Sequence, residues 1–284
     1  MSESPPPFRR LGPERPASPV VISVPHAGRA YSRALLSASR LPRARLEVLE
    51  DRLVDRLVWR AVDSGATALI CDIPRAEIDL NRDERELDPT MVSPRPAASA
   101  TMDSARTRGG LGLIPSRMAG VGSIWRQRIP ASEVERRVEH IHRPYHEALR
   151  RELAAARDLF GTAVLLDCHS MPPREGSGHA QIVLGDCHGS SMGRWLVEAA
   201  EAAVARQGYA VARNHPYAGG HVTARHGRPA SGIHALQLEI DRSLYLGPDL
   251  RSPGPGFDGV AQLIEAIALA LAGAAAAPQA LAAE

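Results

Sequence analysis

The sequence predicts an α/β fold: a single domain with a mixed, mostly parallel sheet flanked by helices on both faces. Three observations predict it. Short apolar runs rich in β-branched residues recur along the chain, segments of helical period alternate with them, and 284 residues suffice for one large buried core. The runs at 20–24, 66–73, 163–167, 180–184, 209–214 and 234–240 read as strands, with Ile78-Asp79-Leu80 as a further short one. A first helix is predicted over 46–64, where Leu46, Leu49, Leu53, Leu57 and Ala61 share one face and Gly65 stops it. A long helix or helix pair spans 132–160. Ser132 and Glu135 form a capping-box pattern at its start, Pro144 is a candidate kink and Gly161 its end. Helices over 192–207 and 257–273 complete the alternation. Residues 83–122 keep no sustained period and read as a long functional loop or lid.

This pattern divides the chain into a flexible lead-in over 1–18, rich in Pro and Arg, a single folded domain over 19–273, and an Ala-rich tail over 274–284. The formal charge is only +2, and the basic residues, all 34 of them Arg, are interspersed with Asp and Glu. Such a surface offers no polyanion-binding patch, which excludes a nucleic-acid partner. GxGxxG and P-loop patterns are absent, so a nucleotide site has no support. The odd cysteine set, Cys71, Cys168 and Cys187, contains no CxxC and points to a reducing compartment. The N-terminal residues lack an apolar signal core, and the apolar stretch over 263–277 carries Glu265 and reads as too short to span a bilayer. A cytoplasmic protein without a membrane partner is expected. The oligomeric state is left open.

Ligands of open α/β sheets collect outside the carboxyl ends of the strands. His26 follows one strand, His169 follows another, and Glu239 lies inside the last. Asp51 and Asp55 sit on the helix downstream of His26. Two histidines and a carboxylate suit catalytic zinc, which keeps a position free for water and makes that water more acidic, while a nearby Glu can take its proton. In Asp79-Leu80-Asn81-Arg82, the planar fork of Arg82 suits a substrate carboxylate, with Asn81 beside it as donor and acceptor. An ion pair of Arg82 with Asp83 or Glu84 is the competing reading, and Glu239 has its own, with Arg225, Arg228 or Arg242. The glycine-rich segment 217–227, with His221 and Arg225, reads as a substrate-facing loop. His140, His142 and His146 lie in a basic helix with no acidic third ligand evident nearby, and read as solvated or packing residues.

Six segments, in order, carry a resemblance: SVPHAG at 23–28, EDRLVDRL at 50–57, EIDLNRD at 77–83, LLDCHSMP at 165–172, GGHVTARHG at 219–227 and GIHALQLEIDRSLYL at 232–246. With them the chain resembles the N-formylglutamate amidohydrolases (deformylases) of histidine breakdown, over most of its length. The resemblance implies a phosphorylase/hydrolase-like fold of the zinc-carboxypeptidase and aspartoacylase type. It implies one Zn2+ on His26, Asp51 and His169, with Asp55 as second choice for the acid because Arg29 stands where the carboxypeptidase pattern has Glu. It implies Glu239 as general base, and substrate contacts from Arg82, Asn81, Arg75, Arg225 and His221. The implied substrate is a small molecule, an N-acylated acidic amino acid. The alternatives are a related N-acyl amino acid or small-peptide hydrolase, and a catalytically silent domain that binds an acidic metabolite.

Overall fold

The computed structural model describes residues 6–174 and 179–277. Seven strands form one mixed sheet. They are β1 (Phe8–Leu11), β2 (Val20–Val24), β3 (Thr67–Cys71), β4 (Ala163–Met171), β5 (Ile182–Gly185), β6 (Val211–Arg213) and β7 (Ile233–Asp241), in spatial order β1-β3-β2-β4-β7-β5-β6. The central strands β3, β2, β4 and β7 run parallel, β1 and β5 are antiparallel to their inner neighbours, and β6 runs parallel to β5.

The two-residue period of the strands assigns the faces. Val20, Ile22, Val24, Val164, Leu166, Cys168, Leu236, Leu238 and Ile240 belong to one apolar cluster. Against it pack α1 (Val54–Leu57), α2 (Trp59–Asp63), the helix at Arg194–Arg206 and the closing helix at Phe257–Ala276. On the other face Val21, Leu69, Ala163, Leu165 and Ala235 meet the long helix through Tyr145, Leu149 and Leu153. Toward the carboxyl ends of β4 and β7 this second face turns polar, with Asp167, His169, Gln237 and Glu239. Leu166 is fully buried between layers. Leu166→Ala is expected to cost about 2–5 kcal/mol, the range for a truncated core leucine, read from the denaturant midpoint.

Several elements differ from the sequence expectation. The lead-in supplies an edge strand, because Phe8–Leu11 pairs with β3 and Phe8 packs edge-on against Tyr145. The helix expected over 46–64 is broken into short turns: Leu53 takes the left-handed conformation (φ 63°, ψ 8°), uncommon for a residue with a Cβ. Residues 78–80 form no strand; they belong to a turn whose Leu80 carbonyl accepts from His146. Ser132 does not cap its helix. That helix, α3 (Ala131–Arg137), starts after Pro130, continues through a π-helical turn at Val138–His142, and gives way to α4 (Arg143–Phe160), with Pro144 in the first turn, where it is tolerated. The next helices are α5 (Arg194–Arg206), α6 (His221–His226), in the segment read as a loop, and α7 (Phe257–Ala276). α7 is longer than its sequence period suggested and is long and apolar enough to cross a membrane, but Val260, Leu263, Ile264, Ile267 and Leu271 are buried against the sheet. Residues 278–284 of the expected tail lie outside the described residues. The region over 83–122 is no loose lid: Leu87, Leu113 and Ile114 join the second core, as do Ile124 and Trp125 just after it.

Candidate active site

His26 follows β2 through Pro25, and the turn carrying it is pinned closely. A Cβ on Gly28 would lie 2.1 Å from the Ile73 carbonyl oxygen, so only glycine fits there. Asp51 is brought over the sheet by its own N–H, which donates to the His26 carbonyl at 3.0 Å. The left-handed turn at Leu53 then carries the chain away into α1. His169 lies within β4 and not beyond its end, because that strand continues to Met171.

The three side chains meet. His169 Nδ1 lies 2.9 Å and His26 Nδ1 3.3 Å from the same oxygen, Asp51 Oδ2. Each ring is held from behind by a carboxylate. His26 Nε2 donates to Asp79 at 2.7 Å, and His169 Nε2 donates to Asp167 at 2.8 Å. A carboxylate only accepts, so these bonds fix the Nε2–H tautomers and aim both Nδ1 atoms inward. Two imidazole lone pairs facing one carboxylate oxygen repel unless a proton or a cation lies between them. His26 Nδ1 has no hydrogen-bond partner although it is buried, and neither does Asp167 Oδ1. The donor set therefore fits a small cation, with Asp79 and Asp167 as the outer partners that metal-ligating histidines require.

In the absence of a cation, a proton takes its place between the donors. Burial works against the Asp51 charge, but the hydrogen bond from His169 and the nearness of His26 hold its carboxyl well below the usual range. Burial likewise opposes charge on His169, yet Asp167 and Asp51 raise it well above an ordinary imidazole. Asp51 Oδ1 accepts from Ser170 Oγ at 3.1 Å and faces Arg242 at 3.3 Å. Asp55 is not part of this group: it pairs with Arg29 at 2.6 Å.

Glu239 stands beside His169, its direct partner in the β4–β7 register. Burial pushes its carboxyl up to about 7, with the His169 charge opposing and Asp51 adding. Its hydrogen bond comes from Gln237 Nε2 at 2.7 Å. Among the described residues it forms no ion pair: Arg242 is turned to Ser170 and the Glu50 carbonyl, and Arg228 to the carbonyls of Ala224 and Gly227.

Arg75 holds Asp79 through Nε at 2.8 Å, and its charge is felt by Glu239. Arg82 is buried. It donates Nε to the Leu111 carbonyl and NH1 to the Asn81 carbonyl, and lies 3.7 Å from Asp79. Asn81 lies 3.2 Å from His169, and its Oδ1 accepts the Val222 N–H at the start of α6. A Cβ on Gly220 would lie 2.2 Å from that amide, so the glycine lets α6 approach. Arg225 is exposed, and His221 turns toward His142 and His146.

A family model described as N-formylglutamate amidohydrolase matches residues 18–246. The chain belongs to the N-formylglutamate amidohydrolase family. A deformylase of Pseudomonas putida named for N-formylglutamate is 33% identical over 235 residues, 80% of this chain and 82% of the relative. Its counterpart from Pseudomonas aeruginosa is 30% identical over the same shares. The crystal structure of N-formylglutamate amidohydrolase from Ralstonia eutropha JMP134 superimposes with a TM-score of 0.87 at 33% identity, covering 94% of this chain and 97% of that one.

Within this family member, sequence reasoning missed Asp79 and Asp167 as partners of the histidines. The strand period offered a signal for Asp167, two residues before His169 on the same face. Tyr217 opens the segment read as substrate-facing. It is half-buried near Glu239, and burial followed by that charge raises its hydroxyl pKa.

Proposed function

We propose that the protein is a metal-dependent amidohydrolase that cleaves the N-formyl amide of an acidic amino acid, N-formylglutamate first, to the amino acid and formate. Convergence of His26 Nδ1 and His169 Nδ1 on one oxygen of Asp51, with Glu239 paired to His169 across the sheet, carries this reading. His26, Asp51 and His169 would hold a divalent cation, zinc by donor type since magnesium and calcium prefer all-oxygen shells, which supplies Lewis-acid polarisation of the formyl carbonyl and a more acidic water.

The chain's own groups do the rest. Glu239 accepts the proton of the attacking water and returns it to the departing amine nitrogen as the C–N bond breaks, and a carboxyl near pKa 7 suits both directions. Asn81 orders the substrate between His169 and α6. Arg75 and Arg82 form the cationic wall for the substrate carboxylates, with Arg225 at its outer margin, whereas His221 is turned away toward His142 and His146. Burial lowers Arg82 to about 10, so it stays charged at neutral pH. A silent binding domain would have no use for a raised Glu beside two converging imidazoles. The names of the relatives support the formyl substrate, and a place in histidine breakdown follows from that substrate. Cysteines unpaired in the structure and a closing helix spent on the core suit the cytoplasm.

Formate release from a panel of N-formyl and N-acetyl amino acids tests the reading, with N-formylglutamate expected to give the highest kcat/KM. Arg82→Lys keeps the charge but loses the fork. It should raise KM for acidic substrates by about 10–100-fold, the equivalent of one charge-assisted hydrogen bond, while metal content stays constant. An equal loss on N-formylalaninamide, which has neither carboxylate, would remove Arg82 from the carboxylate wall, and a panel with no formyl substrate turned over would overturn the function.

A further inference from the structure

A second group of histidines lies on the far side of the Leu80–Arg82 turn. One potential ligand atom from each of His142, His146 and His221 falls within 4.8 Å of the others. His142 and His146 come from the π-turn and the first turns of α4, His221 from the start of α6. His142 Nε2 donates to the Arg82 carbonyl and His146 Nε2 to the Leu80 carbonyl, both at 2.9 Å. A carbonyl only accepts, so both rings carry their proton on Nε2 and present Nδ1 as a lone pair. His142 is fully buried and its Nδ1 has no hydrogen-bond partner; His221 Nε2 is buried and unpartnered too.

We propose that His142, His146 and His221 form a second metal site for a divalent cation of the imidazole-preferring kind, such as zinc. Neutral imidazoles whose other nitrogen is anchored on a backbone carbonyl are the form in which histidine binds metal. Three such donors leave room for a further ligand. A Glu84 carboxylate oxygen lies 3.6 Å from His142 Nδ1 and is the acid closest to that nitrogen. His146 Nδ1 now accepts from His226 Nε2 at 2.9 Å, and cation binding exchanges that contact for a metal bond. Burial, first, keeps all four rings below the ordinary imidazole range, His221 at about 4 and His226 at about 3, so no proton competes at neutral pH. Arg225 opposes a cation here, whereas Asp83, Glu84 and Glu86 favour it. The site shares the Leu80–Arg82 turn with the proposed active site, since Asn81 lies against His169. A cation here would brace the turn that carries Asn81 and Arg82.

The experiment titrates metal-stripped full-length protein with zinc, and then with cobalt, whose electronic spectrum reports nitrogen donors. Wild type should bind two equivalents. His221→Phe, at a partly exposed position, should bind one. His26→Ala/His169→Ala, with native circular dichroism, should retain one equivalent, and adding His221→Phe to it should weaken that binding by more than about 100-fold, beyond the cost of losing an outer partner. A single equivalent in wild type that is lost in His26→Ala/His169→Ala overturns the second site, as does binding that His221→Phe leaves unchanged. Because the readout is stoichiometry and not turnover, failure here is distinct from failure of the proposed amidohydrolase activity.

Discussion

Glu239→Gln lowers kcat by on the order of 10²–10⁴ while the metal content of the protein is unchanged. The substitution is nearly isosteric, and a glutamine oxygen can still accept the hydrogen bond that Gln237 donates to Glu239. What disappears is the capacity to take a proton. In wild type, kcat/KM should rise with pH as the carboxyl ionises. Burial places that ionisation at about 7, and a bound cation lowers it, so the ascending limb falls at or below pH 7 and is absent from the variant. Stability separates this role from a structural one. The folded-state pKa of Glu239 lies above the unfolded value of 4.5, so its contribution to stability is fully present below 4.5 and is lost as pH rises through about 7. Metal-free Glu239→Gln protein should therefore unfold at a temperature no lower than wild type at pH 8. A lower midpoint with turnover retained would make Glu239 a packing residue and leave the hydrolysis without its base.

The parts of this architecture legible in the sequence are those governed by short-range rules. The period of two in β4 and β7 separates Leu166, Leu238 and Ile240 from His169 and Glu239, and the strands form where that alternation predicts. Strand ends were less legible. The hydrophobic signal of β4 stops at Asp167, yet the strand runs on to Met171 because its polar end is paired on one side by β7 through the whole length. Leu53 fits a helical face by spacing, but the tertiary demand that Asp51 reach both histidines breaks the helix there. The edge strand at Phe8–Leu11 depends on β3 offering it a partner, which no local composition encodes. Candidate ligands could be named from their motifs with Asp51 ahead of Asp55, and the distances then set the two apart, since Asp51 meets both histidines and Asp55 pairs with Arg29. The histidine group around His142 was hidden for the same reason. Its members come from two helices about 80 residues apart, and the carbonyls that orient them belong to a third segment.

His169→Ala should abolish turnover and remove one equivalent of metal. The ring touches Asp51 on one edge and Asp167 on the other, at 2.9 and 2.8 Å. Its loss removes one of three donors and leaves two buried carboxylates without the cationic partner between them. Truncating one member of a buried charged pair costs about 3–5 kcal/mol, so the variant should also unfold at lower denaturant. Stability and activity must therefore be separated. Chelation of wild type should abolish turnover reversibly, with added zinc restoring it, whereas zinc should not restore His169→Ala at a temperature where circular dichroism shows it folded. Asp51→Asn should behave in the same way, since an amide carries no charge to offset the cation. Asp55→Asn is the control. Asp55 pairs with Arg29 outside the cluster, so this change should keep the metal and most of the activity. If Asp55→Asn loses the metal and Asp51→Asn keeps it, the ligand set derived from the convergence of His26 and His169 is wrong.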